Sequence, residues 1–438
     1  MKTSVKNTNQ VINIGNLIAE HSIEFQNPND LDILIEKIGD AKYVLLGEAS
    51  HGTHEYYVWR AHISRKLIEQ KGFSFIAVEG DWPDCYLLNR YVKSYANSGK
   101  DAHMVLHAFN RWPTWMWANW EVIALTEWLK AYNQTLPNNQ KIGFYGLDVY
   151  SLWESLEAII KYLEKVDKHA LQKANRVLDC FELYGSKDEK FAHLSGISCE
   201  DEIIDLLRET SLKLSQYNTD PEAALNLEQN THTLKNAEEY YRTLMKGNVN
   251  SWNLRDHHMV DTLDRLMKYH DKNAKAIIWE HNTHIGDSRA TDMHNRGMVN
   301  VGRLTREKYG RENVYSVGFG SNSGTVIAGM EWGDAMRVMN VPVAIEGSWE
   351  NLLHKLGEKD RIIFMEDDLK EEWDNANIWH RAIGVVYNPK YEQYGNYVPS
   401  IIPERYDAFV YIDKTKALHP LHIEPDGTQM PETYPFNI

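Results

Sequence analysis

The sequence predicts an α/β fold with a largely parallel central sheet flanked by helices and an inserted all-helical subdomain. Short apolar runs rich in β-branched and aromatic residues recur between helical stretches, which is typical of a parallel sheet covered on both faces. Between about 151 and 272 these runs stop, and amphipathic, charged helices follow one another. We therefore predict an α/β core at 1–150 and 273–438 that carries the active site, and a helical insertion at 151–272 that borders the cleft.

The predicted strands are short apolar runs bounded by polar or glycine-containing segments. They lie near 42–47, 73–79, 141–147, 274–279, 313–319, 361–365, 382–387 and 407–412. The helix between the first two is predicted to begin after Thr53, whose side chain can cap it, and to end at Gly72. A chain of 438 residues with 43% hydrophobic content is long enough for such a core and an insertion.

Charge and composition exclude several classes of protein. A formal charge of -15 without clustered Lys and Arg argues against a nucleic-acid partner. The sequence contains no run of 18 consecutive apolar residues, so no membrane-spanning helix is predicted. The three cysteines, Cys85, Cys180 and Cys199, match neither a disulfide framework nor a zinc knuckle, which favours a reducing compartment. The first residues lack the apolar block of a signal peptide. We predict a cytoplasmic protein with a small-molecule partner.

Ionisable side chains follow four of the predicted strands. In an open parallel sheet, ligands bind beyond the carboxyl ends of the strands, so these side chains are expected to share one site. They are Glu48 and His51 after the first strand, Glu79 after the second, Asp148 after the third, and His281 and His284 after the fourth.

A histidine with a neighbouring carboxylate is the natural general base at neutral pH, and His51 with Glu48 or Glu79 supplies that pair. Arg60, in the following helix, could reach back to anchor a carboxylate or stabilise an oxyanion, although a surface ion pair fits the sequence equally well. No G-x-S-x-G turn follows any strand, so water activated by a base is the expected nucleophile.

Two other interpretations stay open. A divalent metal such as zinc or manganese could be bound by Glu48, His51, His281 and His284, although their spacing lacks the H-E-x-x-H pattern; we favour a site without a cofactor. Alternatively, the chain could bind a hydrophobic small molecule without catalysis.

A tryptophan-rich segment at 109–120 offers a candidate surface for such a molecule. Trp112 and Trp115 lie three residues apart, which is typical of a core-facing helix start. The alternative is that Trp112, Trp115 and Trp117 form an aromatic wall for a bulky apolar substrate.

Taken together, several motifs resemble the erythromycin esterase family in order and spacing from about residue 30 to 412. They are LLGEASHG at 45–52, Arg60, VEGD at 78–81 and WEHNTH at 279–284. The resemblance implies a macrolide-lactone hydrolase fold in which His51 is the general base and no metal is needed. It further implies that five other residues position the water, balance the charge of His51 and polarise the lactone carbonyl. They are Glu48, Arg60, Glu79, His281 and His284.

That family is broader than antibiotic esterases and includes chains labelled as succinoglycan biosynthesis proteins. The resemblance therefore predicts hydrolysis of an ester or lactone, macrolides included, and leaves the substrate open.

Overall fold

The structure, a computed structural model, describes residues 18–182, 198–217, 220–244, 250–366, 369 and 378–422. Contacts between residues divide the chain into two compact units. The first contains Met1–Ile76, Gly99–Ile142 and Lys275–Ile438, and the second contains Ala77–Ser98 and Gly143–Ala274.

The strands and helices of the described residues have the following bounds. The strands are β1 (Ser22–Glu24), β2 (Tyr43–Leu46), β3 (Phe75–Asp81), β4 (Gly143–Asp148), β5 (Ala276–Trp279), β6 (Val314–Ala328), β7 (Arg337–Val341), β8 (Arg361–Phe364), β9 (Ile378–Arg381), β10 (Tyr397–Ser400) and β11 (Ala408–Thr415). The helices are α1 (Asp32–Ile38), α2 (His54–Lys71), α3 (Trp82–Val92), α4 (Ala102–His107), α5 (Trp120–Gln134), α6 (Leu152–Val166), α7 (Lys168–Glu182), α8 (Glu200–Leu212), α9 (Ala223–Leu244), α10 (Asn250–His270), α11 (Asn282–Ile285), α12 (Val301–Tyr309), α13 (Trp349–His354), α14 (Glu392–Gly395) and α15 (Ile402–Arg405).

The sheet of the first unit is parallel at its centre. Strands β11, β6, β2 and β5 lie side by side and parallel, whereas β8 joins β11, β1 joins β8 and β7 joins β6 in antiparallel pairs. All four residues of β2 and of β5 are buried, as expected for strands covered on both faces. The predicted α/β fold with a mostly parallel central sheet is confirmed.

Helix α2 begins and ends where the sequence predicts. Gly72 has a left-handed conformation (φ 69°) and its N–H donates to the carbonyl of Leu67, which closes the helix. Thr53 precedes the helix in an extended conformation, but its side chain makes no capping hydrogen bond. Its hydroxyl instead pairs with that of Ser50.

The second unit contains β3 from Ala77 onward, the adjacent strand β4 and a set of helices with their own apolar core. Residues of α6, α7, α8 and α9 form that core. The described parts of the predicted insertion at 151–272 are helical and lie in this unit. The segments 77–98 and 143–150 also lie here, because α3 packs against β4, α6 and α9. The predicted domain boundaries stay a prediction.

The predicted strand at 382–387 is wrong. The neighbouring strand is β9, paired with β10, whereas Ile383 and Val386 form only isolated bridges. Ile383 and Tyr387 are buried in a small apolar cluster with residues of β6 and β7. The apolar run therefore reflects packing without ladder pairing.

Cys180 and Cys199 form a disulfide with a Cα–Cα distance of 6.0 Å, contrary to the expectation that the cysteines form none. Cys85 is free and buried. Their spacing gave no signal, because nothing in it shows that α7 and the start of α8 are neighbours. The cytoplasmic location stays a prediction.

Among the helices of the described ranges, none has the length and apolar character needed to span a bilayer.

Candidate active site

The turns that follow β2 and β5 are adjacent because the two strands are parallel neighbours, with Leu46 opposite Trp279. The backbone N–H of Asn282 donates to the carbonyl oxygen of Glu48 over 2.9 Å, which joins the two turns. Gly47 permits this approach, since a Cβ atom there would lie 2.1 Å from Oδ1 of Asn282. The strand pairing therefore places the residues after β2 beside those after β5.

Glu48, His51 and Arg60 form a buried hydrogen-bonded chain. Nδ1 of His51 lies 2.9 Å from Oε1 of Glu48, and Nη2 of Arg60 donates to Oε2 of Glu48 over 2.5 Å. A carboxylate only accepts hydrogen bonds, so Nδ1 of His51 carries the hydrogen and the neutral ring keeps its lone pair on Nε2. The geometry therefore presents Nε2 of His51 as the basic atom.

Arg60 is completely buried, so the surface ion pair that the sequence also allowed is not formed. Its guanidinium carbon lies 4.4 Å from the ring centroid of Tyr57 and 4.6 Å from that of Trp279. These aromatic faces stabilise the buried cation, whose Nε and Nη1 atoms have no hydrogen-bond partner among the described residues. The carboxylate of Glu48 is thus fixed by a rigid, permanently charged group.

The rings of His51 and His281 are neighbours, with centroids 4.8 Å apart. Nδ1 of His281 accepts from the Thr283 hydroxyl over 2.8 Å and from the Thr283 backbone N–H over 3.3 Å. The neutral ring of His281 therefore carries its hydrogen on Nε2. His284 follows on α11 and is buried. Two histidines predicted from distant motifs thus lie side by side.

Helix α11, which carries His284, is fixed to β6 by the side chain of Asn282. Nδ2 of Asn282 donates to the carbonyl of Phe319 over 2.6 Å, and its Oδ1 accepts from the N–H of Phe319 over 3.2 Å. Behind it, Nε2 of His380 lies 3.2 Å from Nδ2 of Asn282, and Nδ1 of His380 lies 2.6 Å from Oε1 of Glu350. Burial lowers the pKa of His380, so this ring is neutral and can accept from Asn282.

Glu79 lies in the second unit, in a buried ion cluster with Asp148 and Arg255. Nη2 of Arg255 lies 2.7 Å from both Oε1 of Glu79 and Oδ2 of Asp148, and its Nε donates to Oδ1 of Asp148 over 2.9 Å. Burial alone would raise the pKa of Asp148, but the charge and hydrogen bonds of Arg255 outweigh it and hold this pKa below its ordinary value. The cluster therefore keeps a carboxylate ionised next to Glu79.

The tryptophan-rich segment lies mainly in the interior. Trp115 is fully buried, which favours the core interpretation for this residue. Trp112 contacts the ring of Trp115 edge-on and packs against Trp332, with centroids 4.7 Å apart. Trp117 is buried beside Tyr57, whose ring contacts Arg60. A substrate-binding role for Trp112, Trp115 and Trp117 stays a prediction.

Several residues that contact the predicted site residues escaped the sequence analysis. Tyr57 lies one turn before Arg60, and Asn282 lies within the motif after β5, so their positions relative to the motif residues were a usable signal. Arg255 gave no signal, because it lies within α10, far along the chain from Glu79 and outside any motif. No sequence pattern pointed to Glu350 or His380 either.

Comparison with known proteins relates most of the chain, from residue 68 onward, to one family. A model of the erythromycin esterase family matches residues 68–415. Erythromycin esterase type II from Escherichia coli is 27% identical over 149 residues, which cover 33% of this chain and 33% of that protein. The chain thus aligns with about a third of the length of this curated relative.

Three solved structures share the fold. A succinoglycan biosynthesis protein has a TM-score of 0.74 at 20% identity, covering 94% of this chain and 100% of its own. A protein from Bacillus cereus has a TM-score of 0.71 at 19% identity, covering 94% and 99%. A mutant of the erythromycin esterase EreC in its open conformation has a TM-score of 0.63 at 16% identity, covering 89% and 95%.

Proposed function

The chain belongs to the erythromycin esterase family, and from this premise we propose that it hydrolyses an ester or a lactone with His51 as the general base. Membership of the family supports a hydrolase that acts on a small molecule. The observation that carries the finer proposal is the hydrogen bond between Nδ1 of His51 and Glu48, because it leaves Nε2 of His51 as the basic atom.

In this mechanism, Nε2 of His51 takes a proton from a water molecule as the water oxygen attacks the carbonyl carbon of the substrate. The C–O bond that forms turns the carbonyl into a tetrahedral oxyanion. When the ester C–O bond breaks, the imidazolium of His51 returns its proton to the leaving oxygen. One water is consumed, and a carboxylic acid and an alcohol are produced.

Glu48 stabilises the imidazolium of His51 while the proton is on the ring, since its charge lies 2.9 Å from Nδ1. Arg60 positions Glu48 by donating a hydrogen bond to Oε2, the oxygen that is not bonded to His51. The side chain of Glu48 therefore stays oriented through the cycle.

The ring of His281 carries its hydrogen on Nε2 and lies beside His51, so it is a suitable donor to the carbonyl oxygen or to the attacking water. His284 and Glu79 enter the proposal through the family resemblance, as groups that orient the water or the substrate. Macrolide hydrolysis, and with it a contribution to antibiotic resistance, rests on the resemblance as well.

Catalysis without a metal is the better fit to these residues. Both oxygens of Glu48 accept hydrogen bonds, one of them from a cation, and Nδ1 of His281 accepts two from Thr283. A metal bound by Glu48, His51, His281 and His284 would have to compete with the charge of Arg60. The metal-dependent alternative therefore stays a prediction to be tested.

The test is a hydrolysis screen over macrolides, simpler lactones and aryl esters, with wild type, His51→Ala and His169→Ala. His169 is an exposed histidine paired with a carboxylate, and serves as the matched control. We expect His51→Ala to lower turnover by on the order of 10²–10⁴-fold while substrate binding is nearly unchanged, and His169→Ala to behave as wild type. Mass spectrometry should show a ring-opened product one water heavier than each lactone that is hydrolysed, and for each ester an acid and an alcohol whose masses add up to the ester plus one water.

Unchanged turnover in folded His51→Ala protein would reject the mechanism. Full activity of protein that elemental analysis shows to be metal-free would reject the metal-dependent alternative. Recovery of unaltered ligand across the whole panel would favour a non-catalytic binder.

A further inference from the structure

A second cluster of imidazole and carboxylate groups lies in the first unit, in residues to which the proposed reaction assigns no role. It consists of His54 at the start of α2, Glu121 at the start of α5, and His419 in the C-terminal segment. One potential ligand atom from each residue lies within 4.8 Å of the others. Three segments far apart in the chain thus converge on one point.

The convergence is tight. Oε1 of Glu121 lies 2.6 Å from Nδ1 of His54 and 2.7 Å from Nδ1 of His419. Glu121 is only 2% exposed, and its hydrogen bonds with His54 and His419 compensate for the burial of the carboxylate. A buried carboxylate anion is therefore shared by two imidazoles.

Two imidazole nitrogens and one carboxylate oxygen form a donor set that zinc and its chemical relatives prefer. In a tetrahedral zinc site the ligand atoms lie roughly 3.3 Å from one another, given metal–ligand bonds of about 2.0–2.1 Å. Oε1 and the two Nδ1 atoms would have to separate by about 0.6 Å, and each Nδ1 would give up its hydrogen. The side chain of His419 is 34% exposed, which leaves the third ligand room to adjust.

We propose that His54, Glu121 and His419 bind one divalent transition-metal ion of the zinc class, with the remaining coordination position open to water. The bound ion would fasten the C-terminal segment to the starts of α2 and α5. Backbone hydrogen bonds already join these parts, from His54 N–H to the carbonyl of Lys416 and from Trp120 N–H to the carbonyl of His419. The ligands are therefore held close together before any metal arrives.

The experiment titrates full-length protein, stripped of metal by dialysis against a chelator, with Co²⁺ and then Zn²⁺. We expect a visible Co²⁺ absorption band that Zn²⁺ removes, proton release on binding, and about one metal per chain by elemental analysis. His419→Ala and Glu121→Gln should lose the band and the bound metal. His354→Ala is the matched control, because His354 pairs with Asp413 over 2.7 Å without a second imidazole in the pair.

His51→Ala separates this proposal from a metal in the proposed active site. It should keep the band and the bound metal, since His51 contributes nothing to the second cluster. Loss of metal in His51→Ala together with full binding in His419→Ala would place the ion at the active site and overturn the proposal. Failure of wild-type protein to bind Co²⁺ or Zn²⁺ would also overturn the proposal. Circular dichroism of His419→Ala shows whether the variant is still folded, so that lost binding can be assigned to the missing ligand.

Discussion

Replacing Glu48 by Gln tests the electrostatic part of the proposed mechanism. The substitution keeps the size of the side chain and an oxygen that can accept from Nδ1 of His51, but it removes the negative charge that lies 2.9 Å from that atom. His51 becomes positive when it takes a proton from water. Turnover should therefore fall, although less than in His51→Ala.

The size of the fall follows from the hydrogen bond. A bond to a charged acceptor is worth about 1.5–3 kcal/mol and a neutral one about 0.5–1.5 kcal/mol. The difference of about 1–2 kcal/mol corresponds to a roughly 5–30-fold lower kcat, at about 1.4 kcal/mol per tenfold.

The same substitution should also lower stability, because His51 and Arg60 contact different oxygens of Glu48, and glutamine replaces one of these oxygens by an NH2 group that cannot accept. Arg60 is fully buried, and its Nη2 bond to Glu48 is an ion pair. Leaving a buried charge without its partner costs about 3–5 kcal/mol. The denaturation midpoint of Glu48→Gln should therefore lie well below that of wild type.

The assay measures kcat on the panel substrate that wild type hydrolyses fastest, at a temperature where circular dichroism shows the variant folded. Asp413→Asn makes the matching change at the His354–Asp413 pair and should leave kcat unchanged. Wild-type kcat in folded Glu48→Gln protein would show that the carboxylate does not stabilise an imidazolium, and the mechanism would lose its central interaction.

Three further predictions follow from contacts elsewhere in the molecule. Gly47→Ala should destabilise the protein by about 1–3 kcal/mol and reduce turnover, because the new Cβ would lie 2.1 Å from Oδ1 of Asn282; wild-type kinetics would contradict this. Burial lowers the pKa of His258 from 6.5 to about 3. Between these two pH values, His258 is protonated in the unfolded chain and neutral in the folded chain. Stability should fall as the pH drops below 6.5, by about 1.4 kcal/mol per pH unit at most, and urea titrations should show a shallower fall in His258→Gln. Trp115→Ala should cost about 3–5 kcal/mol of stability, read from the denaturation midpoint, and an altered KM with full stability would instead favour the aromatic wall.

The central strands could be predicted because they are continuous apolar runs that end in polar motifs. Strands β2 and β5 lie within one or two residues of their predicted bounds, and both are fully buried. The run at 382–387 has the same composition, but its side chains fill a small core next to β7. An apolar run therefore predicts that its side chains are buried. It does not predict the hydrogen-bond partners of the backbone N–H and C=O groups, which distinguish a strand from a buried loop.

The motif residues could be predicted from the sequence, but the residues that contact them could not. His51 and His281 were expected together because both follow strands of one parallel sheet, and their rings are neighbours. Arg255 reaches Glu79 from the interior of a long helix, and His380 reaches Asn282 from β9. Such contacts depend on tertiary packing between segments with no local pattern, and the Cys180–Cys199 bond escaped prediction for the same reason.

The pairing of β2 with β5 has a consequence for how function appears during refolding. His51 and His281 reach each other only when two strands from distant parts of the chain have joined, whereas the helices that flank them can form locally. Long-range pairing of this kind is slow to form. After dilution from denaturant, the recovery of catalysis should therefore lag behind the recovery of the helical circular dichroism signal. The activity assay would then follow the rate at which β2 and β5 pair.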